Sequence, residues 1–383
     1  MSSPTPPAEP NESVVVSAAS DSFGPWLGSL GGSLVVSCYQ AGKIALLGWN
    51  GKTVSVHLRD FPRPMGLAID GQRLAIGALE EIIVFRNAPQ LADDVFADQP
   101  TRYDALYLPQ TSYRTGEVAV HGLAFAGDEL WFVNTRFSCL STLSPDFNFV
   151  PRWKPPFISD LAPEDYCHLN GMAVVDGQPR FVTSLGTTNV PGAWRKDKVT
   201  GGVIMSVPDG RIVASGLCMP HSPRWYDRRL WVLNSGHGQL AYVDPQSGAL
   251  QVVATLPGYL RGLCFQGPYA IVGMCQIRER HIFGGLPISS KFPQLLCGVA
   301  VVDLRNGNTI GMFLFTSGCQ EVFDVDFLPG VQQPAILNHD HPGMRLAYTA
   351  PEGHWYRQEK EATPDANAPE ADKPQPGDAE RGH

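Results

Sequence analysis

Two histidines, His121 and His221, open near-copies of one motif, "HGLAFAGDELWFVN" and "HSPRWYDRRLWVLN", and each copy closes on an asparagine, Asn134 or Asn234. Strand-forming residues flank a central turn in both, so each copy reads as a hairpin that brings its first and last residues side by side at one rim. An imidazole titrates near pH 6.5 and can give or take a proton at neutral pH, while an amide beside it can orient a substrate or complete a metal shell.

Aligning all copies on the residue before the recurrent Gly-Leu-Ala gives a column of Met65, His121, Asn170, His221, Arg261 and Phe323. Two residues earlier, on the same strand face by the period of two, stand Arg63, Ala119, His168, Met219, Tyr259 and Glu321. His121 and His221 are the candidate general bases. Arg261, with Arg136 near it, would clamp a carboxylate through two parallel hydrogen bonds. Asn134 would orient the substrate, and His237, in the Gly-rich "LNSGHGQ", would hang over the same mouth. Asn170, Asn234, Glu321 and His168 are the candidate ligands of one divalent cation. Imidazoles suit zinc, iron or manganese, and amides with carboxylates suit calcium or magnesium, so the mixture leaves the metal open. For each histidine alone, the ordinary alternative is a hydrogen-bonded imidazole at a strand end.

What must position these residues is a repeat. The copies at Met65, His121, Asn170, His221 and Arg261 begin roughly 40 to 56 residues apart, each a strand, a Gly/Asp turn and an aromatic or β-branched strand. Further strands follow each copy, as in "GQLAYVDPQSGALQVVATLP", where "DPQSG" marks a turn. Four strands per unit results. A sixth unit is split, with "CQEVFDVDFLPG" (319–330) as its inner strand and 33–61 as the other three. The expectation is an all-β, six-bladed β-propeller closed by pairing of N- and C-terminal strands, with seven blades as the alternative because 87–118 and 276–296 are long. Residues 1–22 and 357–383, rich in Pro, Ser, Ala and charge, read as disordered tails around a single propeller domain at 23–356. The insertion "QIRERHIFGGLP" carries Arg278, Arg280 and His281 and reads as a loop over one face.

Composition narrows the partners. A net charge of −8 with no basic stripe argues against nucleic acid. No apolar run approaches the roughly 20 residues of a membrane span, and the N-terminus lacks an export signal, so the cytoplasm is the expected compartment. Eight scattered cysteines form no C-x-x-C and read as buried reduced thiols. Nucleophile-elbow, H-E-x-x-H and Walker patterns are missing from the sequence.

Through "SCYQAGKI", "RPMGLA", "LWFVNTRFSCL", "LNGMA" and "MPHSPRWYDRRLWVLNSG", over roughly residues 22 to 350, the chain resembles a bacterial family of conserved hypothetical propeller proteins. More loosely it is similar to six-bladed propellers of the gluconolactonase, senescence-marker-protein and NHL type. The lactonase resemblance implies a divalent cation held by a Glu, two Asn and an Asp that polarises a lactone carbonyl; Glu321, Asn170 and Asn234 would fill three of those places, and His121 and His221 depart from the pattern. Propeller lyases that inactivate antibiotics, with a His base beside magnesium, are an equal analogy. The leading expectation is an enzyme acting on a small polar or anionic metabolite by metal-assisted hydrolysis or lyase-type elimination. The alternative is a non-catalytic propeller module or scaffold for a peptide or protein partner, with Trp153, Trp194 and Trp225 available as anchors.

Overall fold

Short alternating strands separated by glycine turns pair with their sequence neighbours, and in the computed structural model, which describes residues 14–277 and 284–358, they form six antiparallel sheets arranged as blades. Blade 1 runs from an inner strand Val322–Pro329 through Gly32–Cys38 and Lys43–Trp49 to Val54–Asp60. Gly32 pairs with Pro329 and Cys38 with Val322, so the two ends of the propeller close the ring as anticipated. Blades 2 to 6 follow in chain order, with inner strands Leu67–Asp70, Val120–Ala126, Leu169–Val175, Pro220–Tyr226 and Tyr259–Gln266. Six is therefore the blade count. The long stretch at 87–118 is two short helical turns and the outer strand Ala105–Arg114 of blade 2, and 276–296 is an insertion between the second and third strands of blade 6.

Second and third strands lie between the faces of neighbouring blades and are apolar on both sides: Gly32–Cys38 and Gly298–Asp303 are buried along their whole length. Val35, Ile44 and Leu46 of blade 1 pack on Leu67, Leu74, Ile76 and Phe85 of blade 2 in one such layer. Truncating a leucine there to alanine costs ~2–5 kcal/mol.

The Gly of Gly-Leu-Ala has a steric cause. A Cβ on Gly66 would stand 3.1 Å from the His121 carbonyl oxygen of the next blade, one on Gly171 would meet the Pro223 ring at 2.3 Å, and one on Gly262 (φ +78°) would sit 2.7 Å from Val325 N. Inner strands converge on the axis, and only a residue without a side chain lets adjacent ones approach this closely. Polar groups sew the same seam. Ser37 Oγ donates to the Met65 carbonyl (2.6 Å), Thr135 Oγ1 to Leu169 (2.6 Å) and Asn170 Nδ2 to Pro220 (2.9 Å). Ser222 Oγ accepts from Gly262 N (3.0 Å), and Asp324 Oδ2 accepts from Leu67 N (3.1 Å).

Part of the stretch 1–22 expected to be tail is ordered. Val16–Ala19 is a fifth strand of blade 6, pairing antiparallel with Thr309–Ser317 and covering an otherwise bare sheet edge. Helix Phe23–Ser29 follows and buries Phe23, Trp26 and Leu27. After the closing strand, Pro334–Ile336 adds in parallel to blade 2 and a hairpin forms from Ala347–Ala350 and Gly353–Tyr356. Residues 1–13 and 359–383 of the expected tails, and Arg278, Arg280 and His281, lie outside the described residues. No helix among the described residues is long and apolar enough to cross a membrane. All eight cysteines are buried and unbridged.

Candidate functional site

The strand ends of the two columns meet at one mouth of the central channel around a cavity of about 300 Å³. Arg63, Met65, Ala119, His121, His168, Arg261, Glu321 and Phe323 from the columns line it, joined by Arg136, Tyr39, Glu117, Thr135, Asp165, Trp194 and Arg195.

The regular pleat expected at these strand entries does not hold. Arg63, Ala119, His168 and Met219 all take left-handed backbone, φ 43° to 56°, a conformation uncommon outside glycine. Two of these kinks turn a carbonyl onto the imidazole two residues later. His121 Nδ1 lies 3.1 Å from Ala119 O, and His221 Nδ1 lies 2.9 Å from Met219 O. A carbonyl can only accept, so both rings carry their proton on Nδ1 and keep Nε2 as a bare lone pair. Hydroxyls at matching places add support: Thr135 Oγ1 is 2.8 Å from His121 Nδ1, and Ser235 Oγ is 3.1 Å from His221 Nδ1.

His168 is held differently. Its Nδ1 donates to the Asp165 carboxylate at 2.9 and 3.1 Å, and the Trp194 indole donates to the same carboxylate at 3.1 Å. Arg195 caps the arrangement, stacked 4.1 Å above the Trp194 ring. The His168 ring lies 4.4 Å from Trp194 and 4.9 Å, edge to face, from His121. His121 also meets the Phe323 ring at 5.1 Å, and the Arg261 guanidinium sits 4.9 Å over the same Phe323 ring.

Electrostatics follow from burial. Desolvation holds His121 well below the ordinary imidazole value, with His168 and Arg261 adding to it; His221 is lowered by burial and then by Arg261. Both rings are neutral at neutral pH. Burial opposes the charge of Arg261, but Tyr259, Cys275 and Glu321 outweigh it and raise its pKa, so a cation is fixed at the pocket floor. At the rim, Arg63 pairs with Glu117 at 3.2 Å.

The candidates named from sequence separate into three groups. His121, His168, Arg136, Arg261 and Glu321 come together at the mouth. His221 and Asn170 instead line a smaller cavity deeper in the channel. Asn134, Asn234 and His237 line neither. Asn134 Oδ1 accepts from Phe137 N (3.1 Å); Asn234 accepts from Cys218 N (2.8 Å) and donates to Gln239 (2.9 Å). The first caps a turn, and the second ties its hairpin to the entering strand and to the Gln239 side chain. Asn170, besides its bond to Pro220, accepts from Thr183 Oγ1 at 2.6 Å, so its amide is spent on the inter-blade seam. His237 ends a 3₁₀ turn, its carbonyl accepting from Lys291 at 3.1 Å. The four proposed metal ligands are thus not one set, and among the described residues no three His, Cys, Asp or Glu side chains gather around a common metal position. Of the three tryptophans, Trp194 lines the mouth, Trp153 bonds to the Pro208 carbonyl, and Trp225 stacks on Phe181.

Asp165 went unrecognised in the sequence, although "DYCH" sets it three residues before His168, a spacing at which an Asp can cap an imidazole. Thr135 and Glu117 were missed as well, and neither falls in a column.

Among solved structures, the crystal structure of a nidogen/laminin complex superposes with a TM-score of 0.51 at 12% identity, over 78% of this chain and 99% of that one. At that identity the propeller fold is what the two share. No curated protein matches the sequence. A family described as a domain of unknown function, DUF4915, matches residues 21–337, which span both columns, the closing strand and every residue of the mouth pocket, and the chain belongs to that family.

Proposed function

We propose that the mouth pocket binds a small metabolite bearing a carboxylate and an apolar body, and that His168, oriented by Asp165, moves a proton on it. The observation that carries this reading is the pairing of His168 with Asp165 at 2.9 Å on the wall of a cavity whose floor holds Arg261. The carboxylate accepts the Nδ1 proton and leaves Nε2 as the base, the orientation that proton abstraction requires. Arg261, backed by Phe323, would take the carboxylate; Tyr39, Trp194, Phe323 and Met65 would hold the apolar part. His121, neutral and edge-on to His168, would accept a hydrogen bond from the substrate rather than carry charge. Abstraction of a proton beside an electron-withdrawing group, with elimination across the adjacent bond, is the reaction class that this pair of groups supports best.

The test is binding first. Thermal shift and calorimetry against carboxylates small enough for about 300 Å³ should find binders whose affinity falls at least about tenfold in Arg261→Lys, the loss expected when a bidentate contact becomes a point charge. Asp165→Asn should leave that affinity within a few-fold and abolish turnover. Absence of any carboxylate binder, or affinities unchanged in a folded Arg261→Lys protein, would overturn the reading.

A further inference from the structure

Beneath the mouth, a second cavity of about 10 Å³ lies on the channel axis, lined among others by His221, Asn170, Arg224, Arg261 and Asp324. That volume admits one water-sized sphere. His121, Arg261 and Phe323 line both cavities, so the small one sits directly under the pocket floor.

Every interaction that fixes the His221 ring falls on Nδ1: Met219 O at 2.9 Å, Ser235 Oγ at 3.1 Å and the Tyr259 hydroxyl at 3.5 Å. None of those three residues lines the small cavity, so the ring turns its opposite edge toward it. His221 is 3% exposed, and its Nε2 has no hydrogen-bond partner among the described residues. A buried acceptor left in that condition is destabilising unless something donates to it.

We propose that this cavity is a binding site for a single water molecule that donates a hydrogen bond to His221 Nε2. The chemistry of the walls selects that ligand. Because Met219 O fixes the ring proton on Nδ1, Nε2 can only accept, which rejects a halide or any other pure acceptor. Two guanidinium groups, Arg224 and Arg261, reject a cation, even though Arg224 is paired with Asp324 at 3.4 Å. Water meets both demands, donating to the imidazole and accepting from a guanidinium. It would hold a hydrogen-bonded column from His221 to Arg261, which makes His221 a positioning residue for the pocket floor. The inference stands without the proton-transfer reading above, since it concerns neither His168 nor a substrate.

The experiment uses the full chain. Long-range ¹H–¹⁵N spectra of its imidazoles between pH 8 and pH 6 should show His221 neutral with the proton on Nδ1, and its Nε2 resonance displaced in the direction of an accepted hydrogen bond. A crystal grown in sodium bromide should show a water within about 3.2 Å of Nε2 and no anomalous peak in the small cavity. In His221→Phe that water should be gone while those elsewhere remain. A proton on Nε2, an imidazolium at pH 6, a bromide peak in the cavity, or a dry cavity in a map that resolves other buried waters would each overturn the proposal. The parent protein decides the matter if the variant does not fold.

Discussion

Three imidazoles that stay neutral in the fold, His221 buried and His57 and His121 half-buried, make a measurable prediction about acid stability. His57, His121 and His221 all have pKa values depressed by burial, His57 to about 4. Each would titrate near 6.5 in the unfolded chain. At pH 8 neither state binds the proton and the groups contribute nothing. As pH falls below about 6.5 the unfolded chain takes up protons that the folded one refuses, so stability falls by about 1.4 kcal/mol per pH unit for each residue. For His57 the loss ends near its folded value of about 4, a total of roughly 3 kcal/mol over that window. Its surroundings are the Tyr103 hydroxyl and Ile336 backbone at 3.2 Å, with Arg59, Arg102 and His341 disfavouring charge. His121 and His221 act with the same sign. The net slope of the parent is smaller than this sum, because Asp324 is raised and Asp326 is pushed up to about 7 by burial and by Asp324, and both act with the opposite sign. Differences between variants remove that background. Urea unfolding at pH 7.0 and 5.0, followed by tryptophan fluorescence, should show His57→Gln losing about 2 kcal/mol less than the parent between the two pH values, whatever the substitution costs at pH 7. His121→Gln and His221→Gln should each show relief in the same direction. A variant whose loss equals that of the parent would mean that the imidazole titrates in the fold as it does in the unfolded chain. The reading of both rings as neutral lone-pair acceptors would then fail.

Two further outcomes follow from the packing of the inner strands. Gly262→Ala should destabilise the fold by about 3 kcal/mol or more, since it forces a Cβ into left-handed backbone and against Val325 N at 2.7 Å; chemical denaturation would reveal it, and a cost under ~1 kcal/mol would contradict the seam. Ending the chain at Gln320 removes the inner strand Val322–Pro329 and opens blade 1. Such a protein should show no cooperative thermal transition, and retention of one would show that ring closure is dispensable.

The repeat was legible because it is largely steric: a glycine stands where strands converge in four of the six units, at 66, 122, 171 and 262, with Ser222 and Asp324 in that place in the other two, and a turn follows each inner strand. The polar ring was legible only as a set of positions. Whether a column residue faces the mouth or the adjacent blade depends on what that blade presents, which no single motif contains. Asn170 occupies the same column as His121 but is spent on Pro220 and Thr183, one of them in the next blade. Asn134 and Asn234 end matching hairpins and are equally buried, yet the facing strand gives Asn234 the Gln239 side chain and gives Asn134 Cys139. The Asn134 amide nitrogen is left without a partner among the described residues. Asp165 was invisible for a related reason: it lies in a connector that has no counterpart in the other units, so the alignment that finds a ring cannot find it. The proton transfer proposed for the pocket would therefore rest on a residue from outside the repeat, Asp165, orienting one from within it, His168. Repetition supplied the scaffold, and the departure from repetition is what sets the orientation of that imidazole.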